Sequence, residues 1–454
     1  MAPTPKQRIE ALFAQYPDGN GYIRVTRDGT DYLVAVVGSY VNRGYYKIKR
    51  YDVDGILITD GVLPGTGKEW KTPSEITEYD SFFANTFPPN GIDETPTQNP
   101  VPGYEPNLDT IASSYSTFDG YGEMSIKNAI EYVTGDTLPD QQPVQDDFGQ
   151  NMYGLDRIGA PEAWAAGYTG EGIIIAVIDT GIDTNHPELD DNLWVNTDEI
   201  PNNGIDDDGN GYIDDVHGFN FRGGNADISD TGYHGTHVAG TIAGEVGGLV
   251  QGVAYNAKLM TLSVFGDDGA SIGDIVEAVY YAVDNGANII NMSLGIRQPE
   301  ETVNPAIWTD LRTAMKFAND NGVITVAAAG NDQFSSPSVP GSYAVEAGIV
   351  VGAVKQGGSL DTAYSNRAGG AKDYEGDGAE VPLYVSAAGT QIWSTFPQDG
   401  LQNDPAENLI DGYASISGTS MASPHVAAAI ALLLEADPSI TPDQIRVALA
   451  NSTQ

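Results

Sequence analysis

Beyond about residue 153 the sequence alternates short apolar runs with amphipathic helical patterns, and this alternation restricts the choice of fold more than any other feature. The runs are apolar almost throughout, as expected of strands that are covered on both faces. They span residues 173–178, 259–264, 289–292, 323–329 and 349–354. Between them, residues 275–283 and 311–318 repeat apolar side chains at helical spacing before a glycine. This order predicts an α/β domain with a doubly wound, mostly parallel sheet and helices on both of its faces.

Residues 1 to about 147 have a different texture. Short β-type runs lie at 22–25, 32–37 and 45–51. Asp-Gly and Asn-Arg-Gly turns separate them, which predicts a small sheet meander. A loose stretch rich in Pro, Gln and Asp follows over residues 138–150. We therefore expect a small β-rich N-terminal domain over residues 1–147, with 138–150 as its linker, and a second domain over residues 148–454.

Charge and cysteine content exclude several classes of function. The 63 acidic and 21 basic residues give a net charge of −42, which would repel phosphate backbones and anionic lipids. We therefore expect neither nucleic acid nor membrane as a partner, and the apolar runs are too short to span a bilayer. Cysteine is absent, which excludes disulfides, a cysteine nucleophile and thiolate metal sites, so a bound metal needs oxygen ligands. Residues 1–20 show no basic-then-apolar signal pattern.

Three segments carry residue types that together can perform nucleophilic catalysis. In IIIAVIDTGID, Asp179 ends a buried strand; in HGTHVAGTIAG, His234 begins a helix; in GTSMASPHVAA, Ser420 follows a glycine turn that begins another helix. A serine hydroxyl is a weak nucleophile unless an imidazole accepts its proton, and that imidazole needs a carboxylate on its other nitrogen. The sequence therefore provides an acid, a base and a nucleophile. Pro424 is expected to be tolerated in the first turn of the serine helix.

In the chain order Asp, His, Ser, these motifs resemble those of the subtilisin-like serine proteases, the subtilases, over roughly residues 153–450. The resemblance implies that Asp179 orients the imidazole, that His234 acts as general base and acid, and that Ser420 is the nucleophile. It also implies that Asn331, in VAAAGN, stabilises the oxyanion together with the backbone N–H of Ser420. An amide at a strand end can donate this bond without carrying a charge. The implied activity is that of a serine endopeptidase acting on polypeptides.

The resemblance further implies two edges that hold an extended substrate peptide by strand addition, NMSLG at 291–295 and FGDDGAS at 265–271. The implied substrate contacts are Ser293, Leu294, Gly295, Gly269, Ala270 and Ser271. Asp332 follows Asn331 and lies either in the primary specificity pocket, where it would favour Lys or Arg, or only at its rim.

Plainer interpretations exist for each of these residues. A lone aspartate at a strand end is often a turn residue, and a lone serine at a helix start is usually an N-cap. His237, three residues after His234, fits a packed histidine better than a metal ligand because the glutamate of an HExxH motif is absent, and His425 has the same interpretation. A catalytically idle peptide-binding or scaffold protein on the same fold is the alternative function, although no catalytic position is substituted.

A second enzymatic interpretation rests on two copies of the Asp-Thr-Gly triplet of aspartic proteases, at Asp179 and Asp230. Two carboxylates that share a proton would activate water. That arrangement needs two similar all-β lobes, whereas the second triplet is followed by the helical HGTHVAG pattern. The sequence therefore favours the serine enzyme.

An acidic segment between the aspartate and histidine motifs, PNNGIDDDGNGYIDD at 201–215, predicts a calcium site. It matches the start of an EF-hand loop, including the glycine of the sharp turn, but His217 stands in place of the bidentate glutamate. Clustered carboxylates repel one another unless a divalent cation joins them. The candidate Ca2+ ligands are Asp206, Asp208, Asn210, the Tyr212 carbonyl, Asp214 and Asp215. The alternative is a solvated loop of Asx-turns.

Two departures from the subtilase pattern affect these expectations. Many relatives bind calcium through an acidic residue after the His-Pro dipeptide, where this chain has Glu188, but the partner loop 244–250 lacks an asparagine ligand, which leaves this second site doubtful. The chain also stops at Gln454, where subtilases usually continue through a closing glycine-rich strand and a last helix, which puts the stability of the C-terminal edge in doubt. Calcium dependence favours a secreted enzyme, whereas the missing leader pattern favours a cytoplasmic one, and the balance lies slightly towards secretion.

The resemblance also implies a role for the N-terminal domain. Subtilases carry a small preceding domain that lies against the catalytic domain and leaves its C-terminal tail in the cleft until the enzyme cuts it. We therefore expect residues 1–147 to be a prosegment, that is, an intramolecular inhibitor and folding assistant, with cleavage within about residues 138–152. An unrelated accessory domain is the alternative.

Overall fold

The computed structural model divides the chain into two compact units, Met1–Asn99 and Pro100–Gln454. It describes residues 21–27, 30–39, 46–52, 57–63, 111, 115–144, 152–230, 232–266, 268–295, 305–344, 347–370, 381–398, 407–410 and 412–453. The division lies earlier in the chain than the boundary that the sequence predicts after residue 147. The predicted linker, described up to residue 144, therefore lies within the second unit.

The first unit contains an antiparallel sheet whose strands follow one another in sequence order. They are β1 (Gly21–Arg27), β2 (Thr30–Ser39), β3 (Tyr46–Asp52) and β4 (Leu57–Leu63). The predicted meander is thus present. The sequence did not indicate β4, because aspartate and glycine interrupt its apolar residues.

The second unit is built on a seven-stranded sheet in which all paired neighbours are parallel. The strands of this unit are β5 (Ile174–Asp179), β6 (Gly218–Asn220), β7 (Lys258–Ser263), β8 (Phe265–Gly266), β9 (Gly269–Ala270), β10 (Ile289–Met292), β11 (Ile324–Ala328), β12 (Ile349–Val354), β13 (Leu383–Ala388), β14 (Ile392–Thr395), β15 (Glu407–Ile410) and β16 (Tyr413–Ile416). The order in the large sheet is β13-β12-β11-β10-β5-β7-β6, while β8 pairs with β9 and a third sheet has the order β14-β16-β15.

Helices cover both faces of the large sheet. They are α1 (Ile126–Thr134), α2 (Tyr153–Ile158), α3 (Ala160–Ala165), α4 (His234–Ala243), α5 (Ile272–Asp284), α6 (Pro305–Asp320), α7 (Thr419–Ala436) and α8 (Pro442–Asn451), with short 3-10 turns at Asp190–Asn192 and Gly341–Tyr343. Successive residues of β5 point to opposite faces. Ile175 and Val177 join an apolar cluster with α4, α7 and α8, whereas Ala176 and Ile178 join one with α5 and α6. The predicted α/β class with a doubly wound parallel sheet is confirmed.

The central helix α7 is apolar around most of its circumference. By length and composition it could cross a membrane, yet 78% of it is buried inside the second unit. A helix that is apolar on all sides also suits the core of a soluble domain, where every face meets another element. Its N-terminal end carries Ser420, so the core packing of α7 fixes the position of the proposed nucleophile.

Candidate active site

The site begins at the carboxyl end of β5, where Asp179 is 1% exposed. His234 is the first residue of α4, and its Nδ1 lies 2.8 Å from Asp179 Oδ1. Because a carboxylate can only accept, Nδ1 carries the proton and Nε2 is left to act as a base. Burial works against the charged imidazole, but the charge and hydrogen bond of Asp179 outweigh it, with a contribution from Asp230, and raise the pKa of His234.

Asp230, the residue of the second Asp-Thr-Gly triplet, joins the aspartate and histidine motifs by hydrogen bonds. Its Oδ1 accepts from the Thr180 hydroxyl at 2.8 Å, and its Oδ2 accepts from both the N–H and the hydroxyl of Thr236 at 2.9 and 2.5 Å. The same Thr180 oxygen accepts from the N–H of Gly235 at 2.9 Å. One residue after the aspartate and one residue after the histidine are thereby joined through a single hydroxyl.

These contacts separate the two aspartates in role. Asp230 is half-buried and accepts from Thr180 and Thr236, while the Gly232 N–H donates to its Oδ1 at 2.9 Å. Each carboxylate oxygen of Asp230 thus accepts from an N–H group, and these hydrogen bonds favour the ionised form of the carboxyl. Burial acts in the opposite direction and raises its pKa. An aspartic protease requires two carboxylates that share a proton, and Asp179 and Asp230 are not arranged in this way. The second unit is also built on a parallel sheet rather than on two all-β lobes.

Ser420 is the second residue of α7 and lies at its buried N-terminal end, 9% exposed. Asn331 follows β11, and its Oδ1 accepts from the N–H and hydroxyl of Thr419 at 2.9 and 3.0 Å. Because the amide oxygen is engaged there, the NH2 group of Asn331 is the part left to donate. A Cβ at Gly418 would lie 3.4 Å from that nitrogen, so the glycine keeps the space in front of it open.

Ser293 stabilises the start of α7 by a hydrogen bond to its backbone. Pro424 lies one turn beyond the start of α7, not in its first turn as expected, and has no N–H to give to the Ser420 carbonyl four residues earlier. The Ser293 hydroxyl donates to that carbonyl instead, at 2.8 Å. Asn291 holds Ser293 by a 3.0 Å bond from Nδ2 and accepts from the Ser423 hydroxyl at 2.7 Å. The hydroxyl of Ser293 is therefore engaged by the start of α7, and a contact of this residue with substrate stays a prediction.

The predicted substrate edges lie on short strands and a helix cap. Ala270 and Gly269 belong to β9, where they pair with Phe265 and Gly266 of β8. Ser271 caps α5, accepting from the Asp274 N–H at 3.4 Å. On the other edge, Leu294 is buried and Gly295 is exposed, whereas the Asp332 N–H donates to Asn366 Oδ1 at 2.9 Å.

The residues of this site lie in the part of the chain that matches a known protein family. A profile of the subtilase family matches residues 170–454, the part of the chain that contains every residue described above. The chain belongs to the subtilase family.

Several relatives share most of their length with this subtilase. Subtilisin BL of Lederbergia lenta is 36% identical over 302 residues, which are 66% of this chain and 90% of that protein. An alkaline protease of Alkalihalobacillus alcalophilus is 35% identical over 66% of this chain and 64% of its own length. The major intracellular serine protease of Bacillus subtilis (strain 168) is 34% identical over 67% of this chain and 79% of its own length. The chain is accordingly a subtilisin-like serine endopeptidase, and it acts on polypeptides.

Among solved structures, a cold adapted subtilisin-like serine proteinase is 27% identical to this subtilase. The match covers 68% of this chain and 86% of that one, with a TM-score of 0.45.

The remaining histidines near the site of the subtilase are packed and neutral. His237 is fully buried, with Nε2 3.0 Å from the Ile392 carbonyl, and burial lowers its pKa to about 3. The Nδ1 atom of His425 lies 2.8 Å from the Met421 carbonyl oxygen, and burial lowers the pKa of His425 to about 4. Their contacts with carbonyl oxygens agree with the expectation of packed histidines rather than metal ligands.

The acidic segment forms a tight loop. Asp206 accepts from the N–H groups of Gly209, Asn210 and Gly211 at 2.7, 3.0 and 2.9 Å, as expected of its place in an EF-hand-like turn. The structure brings carboxylate oxygens of Glu199, Asp206 and Asp208 within 4.8 Å of one another. Glu199 lies outside the acidic run, so the sequence pattern missed it.

The other predicted ligands have different surroundings. Asp214 accepts from the N–H groups of Asn203 and Gly204 at 2.9 and 3.0 Å and thereby fixes the neighbouring turn. Asp215 is fully buried and accepts from the Tyr281 hydroxyl at 2.5 Å, and burial raises its pKa. Asn210 joins the two groups of residues, because its Nδ2 donates to Asp208 and Asp215, each at 3.0 Å. The Tyr212 ring packs on Phe219, Phe221 and Tyr281, which anchors the loop to the domain.

Glu188, the candidate for a second calcium site, is occupied by donors. Its carboxylate accepts from the N–H groups of Leu249 and Val250 at 2.5 and 2.9 Å and from the Tyr413 hydroxyl at 2.7 Å. The side chain is 5% exposed. These contacts satisfy the carboxylate within the protein and give no support to a cation at this position.

Proposed function

We propose that this endopeptidase cleaves peptide bonds through an acyl-enzyme on Ser420, with His234 as general base and acid and Asp179 as the orienting carboxylate. The observation that carries the proposal is the 2.8 Å bond from His234 Nδ1 to the buried Asp179, because it leaves Nε2 as the basic nitrogen. In the first step Ser420 Oγ adds to the scissile carbonyl while His234 takes its proton. The imidazolium then gives this proton to the leaving amine, and water repeats the sequence on the ester.

The negative oxygen of the tetrahedral intermediate needs donors that are in place beforehand. We assign this role to the Asn331 NH2 group and the Ser420 N–H. Thr419 supports the assignment, since its two bonds to Asn331 Oδ1 fix which end of the amide faces outward. The substrate chain would lie between the β8–β9 edge and residues 293–295, with its backbone paired as an added strand. Asp332 remains a candidate for selecting a basic side chain.

Replacement of the nucleophile tests this function. Ser420→Ala should abolish hydrolysis of a peptide substrate, with a melting temperature close to that of the parent, because the hydroxyl is small. Ser439→Ala, beyond the C-terminal end of α7, is the control, because this serine is exposed and its hydroxyl donates to Asp437 Oδ1 at 2.7 Å; the variant should keep its activity. Undiminished hydrolysis by Ser420→Ala would refute the assignment. A parent chain that binds peptides without cleaving them would favour the idle scaffold.

We further propose that the loop containing Glu199, Asp206 and Asp208 binds calcium and stabilises the fold. The converging carboxylate oxygens are of the hard type that Ca2+ prefers, and the segment concentrates negative charge that a cation would neutralise. Asn210 and the Tyr212 carbonyl are further candidate ligands, and the buried Asp215 supports the loop from beneath through its bond with Tyr281. A site of this kind suits the calcium levels outside the cell, so we place the enzyme there, although one relative is named as intracellular.

We propose that residues 1–147, the predicted N-terminal domain, act as inhibitor and folding assistant. The enzyme would cut its own chain within about residues 138–152. The support comes from the separate compact unit Met1–Asn99 that precedes the catalytic one. A long-range parallel fold also forms slowly without help. The N-terminal region added in trans should inhibit the processed enzyme. A lack of both inhibition and binding would point to an accessory domain instead.

A further inference from the structure

A segment that precedes the predicted domain boundary completes the edge of the large sheet. The Ser386 N–H in β13 donates to the Gly122 carbonyl at 2.9 Å, and the Met124 N–H donates to the Ser386 carbonyl at 2.9 Å. β13 is the terminal strand of its sheet, so this pairing covers an edge that would otherwise present unpaired backbone groups. Residues 121–124 thus pair with β13 through backbone hydrogen bonds, with one parallel bridge at Glu123, and the chain then continues into α1.

The close approach of this segment to β13 depends on one glycine. Gly120 has φ of +67°, and a Cβ built there would lie 2.2 Å from the Tyr384 carbonyl oxygen. Glu123, which follows shortly, is 7% exposed and forms an ion pair with Arg157 of α2. A buried carboxylate needs such a partner, so the segment is joined to the catalytic unit by a charged contact as well as by backbone bonds.

α1 buries its apolar face in the catalytic core. Its buried side chains are Ile126, Ala129, Ile130 and Val133. They belong to the same cluster as α7 and α8, and α1 contacts both of these helices. A helix of 9 residues is not stable alone in water, so α1 owes its structure to this packing.

Residues at the C-terminal end of α8 and just after it also bind residues 121–128. The Thr453 hydroxyl donates to the Tyr121 carbonyl at 2.7 Å, and Asn128 Nδ2 donates to the Ser452 carbonyl at 3.2 Å. Residues 121–124 and α1 therefore contact both the β13 edge and the residues that follow α8.

The connection from α1 to α2 is exposed where it can be described. Leu138 is 4% exposed and belongs to the core, but residues 139–143 form an exposed coil. In this coil Asp140 pairs with Lys127, and the Gln141 N–H donates to Glu162 Oε1 at 3.2 Å, both at the surface; after it the Val144 N–H donates to Asp156 Oδ1 at 2.8 Å. A cut in this coil would thus break no contact of the core.

We propose that residues 115–134 are a permanent part of the catalytic domain, bound by the β13 edge and by α7 and α8, and that they stay bound when the chain is cut in the coil at 139–143. The cut enzyme is then a complex of two chains. The inference rests on the proposed function only where it concerns autoprocessing. After a cut in this coil alone, the Met1–Asn99 unit is still linked to residues 115–134 by the chain and so stays with the enzyme. Its release requires a second cut before residue 115.

The test uses the full Ser420→Ala chain with residues 140–142 replaced by the recognition sequence of a site-specific protease. After cleavage, both fragments should elute together in size-exclusion chromatography and separate only in denaturant, as intact mass will show. The melting temperature should stay near that of the uncut chain. Fragments that separate in native buffer, with the melting of the larger one unchanged, would overturn the proposal. Because this chain lacks the nucleophile, the result does not depend on peptidase activity.

Matched variants on α1 assign the binding to its buried face. In the cut chain, Ile130→Ala should weaken retention of the smaller fragment by about tenfold or more, since truncating a buried isoleucine removes packing and leaves a cavity. Lys127→Ala changes a half-buried side chain of the same helix whose ion-pair partner, Asp140, is already replaced in this chain, and it should leave retention unchanged. Equal retention in the two variants would contradict the inference. Val133→Ala takes the place of Ile130→Ala where the latter lowers the yield of uncut protein.

Discussion

At the scale of single residues, two carboxylates influence the proposed base. Asp179 contacts the His234 ring directly, whereas Asp230 acts on it through space and through the Thr180 hydroxyl. On the helix that carries the imidazole, His237 is neutral because burial lowers its pKa to about 3. Activity requires the unprotonated imidazole, so it should fall as pH decreases through the raised pKa of His234.

Asp230→Asn tests the second carboxylate. The substitution removes a negative charge that stabilises the imidazolium and raises the pKa of His234, so the acidic limb of kcat/KM should move to lower pH. The loss of bonds to Thr236 should also lower kcat. Asp183→Asn removes a nearby carboxylate that does not contribute to the raised pKa of the imidazole, and its limb should stay in place. A limb unchanged in Asp230→Asn would restrict this residue to a purely structural role.

At the scale of elements, the start of α7 depends on a bond between side chain and backbone. Ser293→Ala would leave the Ser420 carbonyl without a donor beside Pro424, which should cost about 1–3 kcal/mol and reduce kcat by displacing the nucleophile. Pro424→Ala restores an N–H at this position. In a double-mutant cycle measured by thermal unfolding, Ser293→Ala should therefore cost less in the Pro424→Ala background. Strict additivity of the two changes would contradict this account of the helix start.

The acidic loop is an element whose charges can be tested one by one. Calcium at a hundredfold excess over its Kd should stabilise the parent by about 2.7 kcal/mol and slow its self-digestion. Asp206→Asn combined with Asp208→Asn should abolish the response. Asp207→Asn is the control, because Asp207 lies outside the converging group and its carboxylate accepts from the Ile200 N–H. Melting of the parent that ignores both calcium and chelator would mark the loop as a solvated turn.

At the scale of the whole molecule, the sequence predicted what is locally encoded. β10 and β12 have the predicted bounds, and β5 lies one residue from them, because continuous apolar runs specify buried strands. The position of α1 was not predictable in this way. Its apolar face requires a core, but local periodicity does not say which of two units supplies that core. The division into two compact units places α1 in the second unit, whereas the predicted boundary after residue 147 places it in the first.

The same distinction applies to the site. Asp179, His234 and Ser420 are recognisable because their motifs combine a strand end or helix start with a reactive side chain. Glu199, Thr419 and the support given by Ser293 depend on contacts between segments far apart in sequence. No periodicity or motif carries that information, because it arises only when the sheet assembles.

Labelling with a serine-directed phosphonate tests the central claim most directly. The reagent needs a serine that is activated by an imidazole and an oxyanion site that accepts its phosphoryl oxygen, so it reports the arrangement rather than the presence of a hydroxyl. Intact mass with peptide mapping should show a single label on Ser420 in the parent and in Ser439→Ala, much slower labelling in Asp179→Asn, and none in Ser420→Ala. A label on another residue, or equal labelling of Ser420→Ala, would contradict the account.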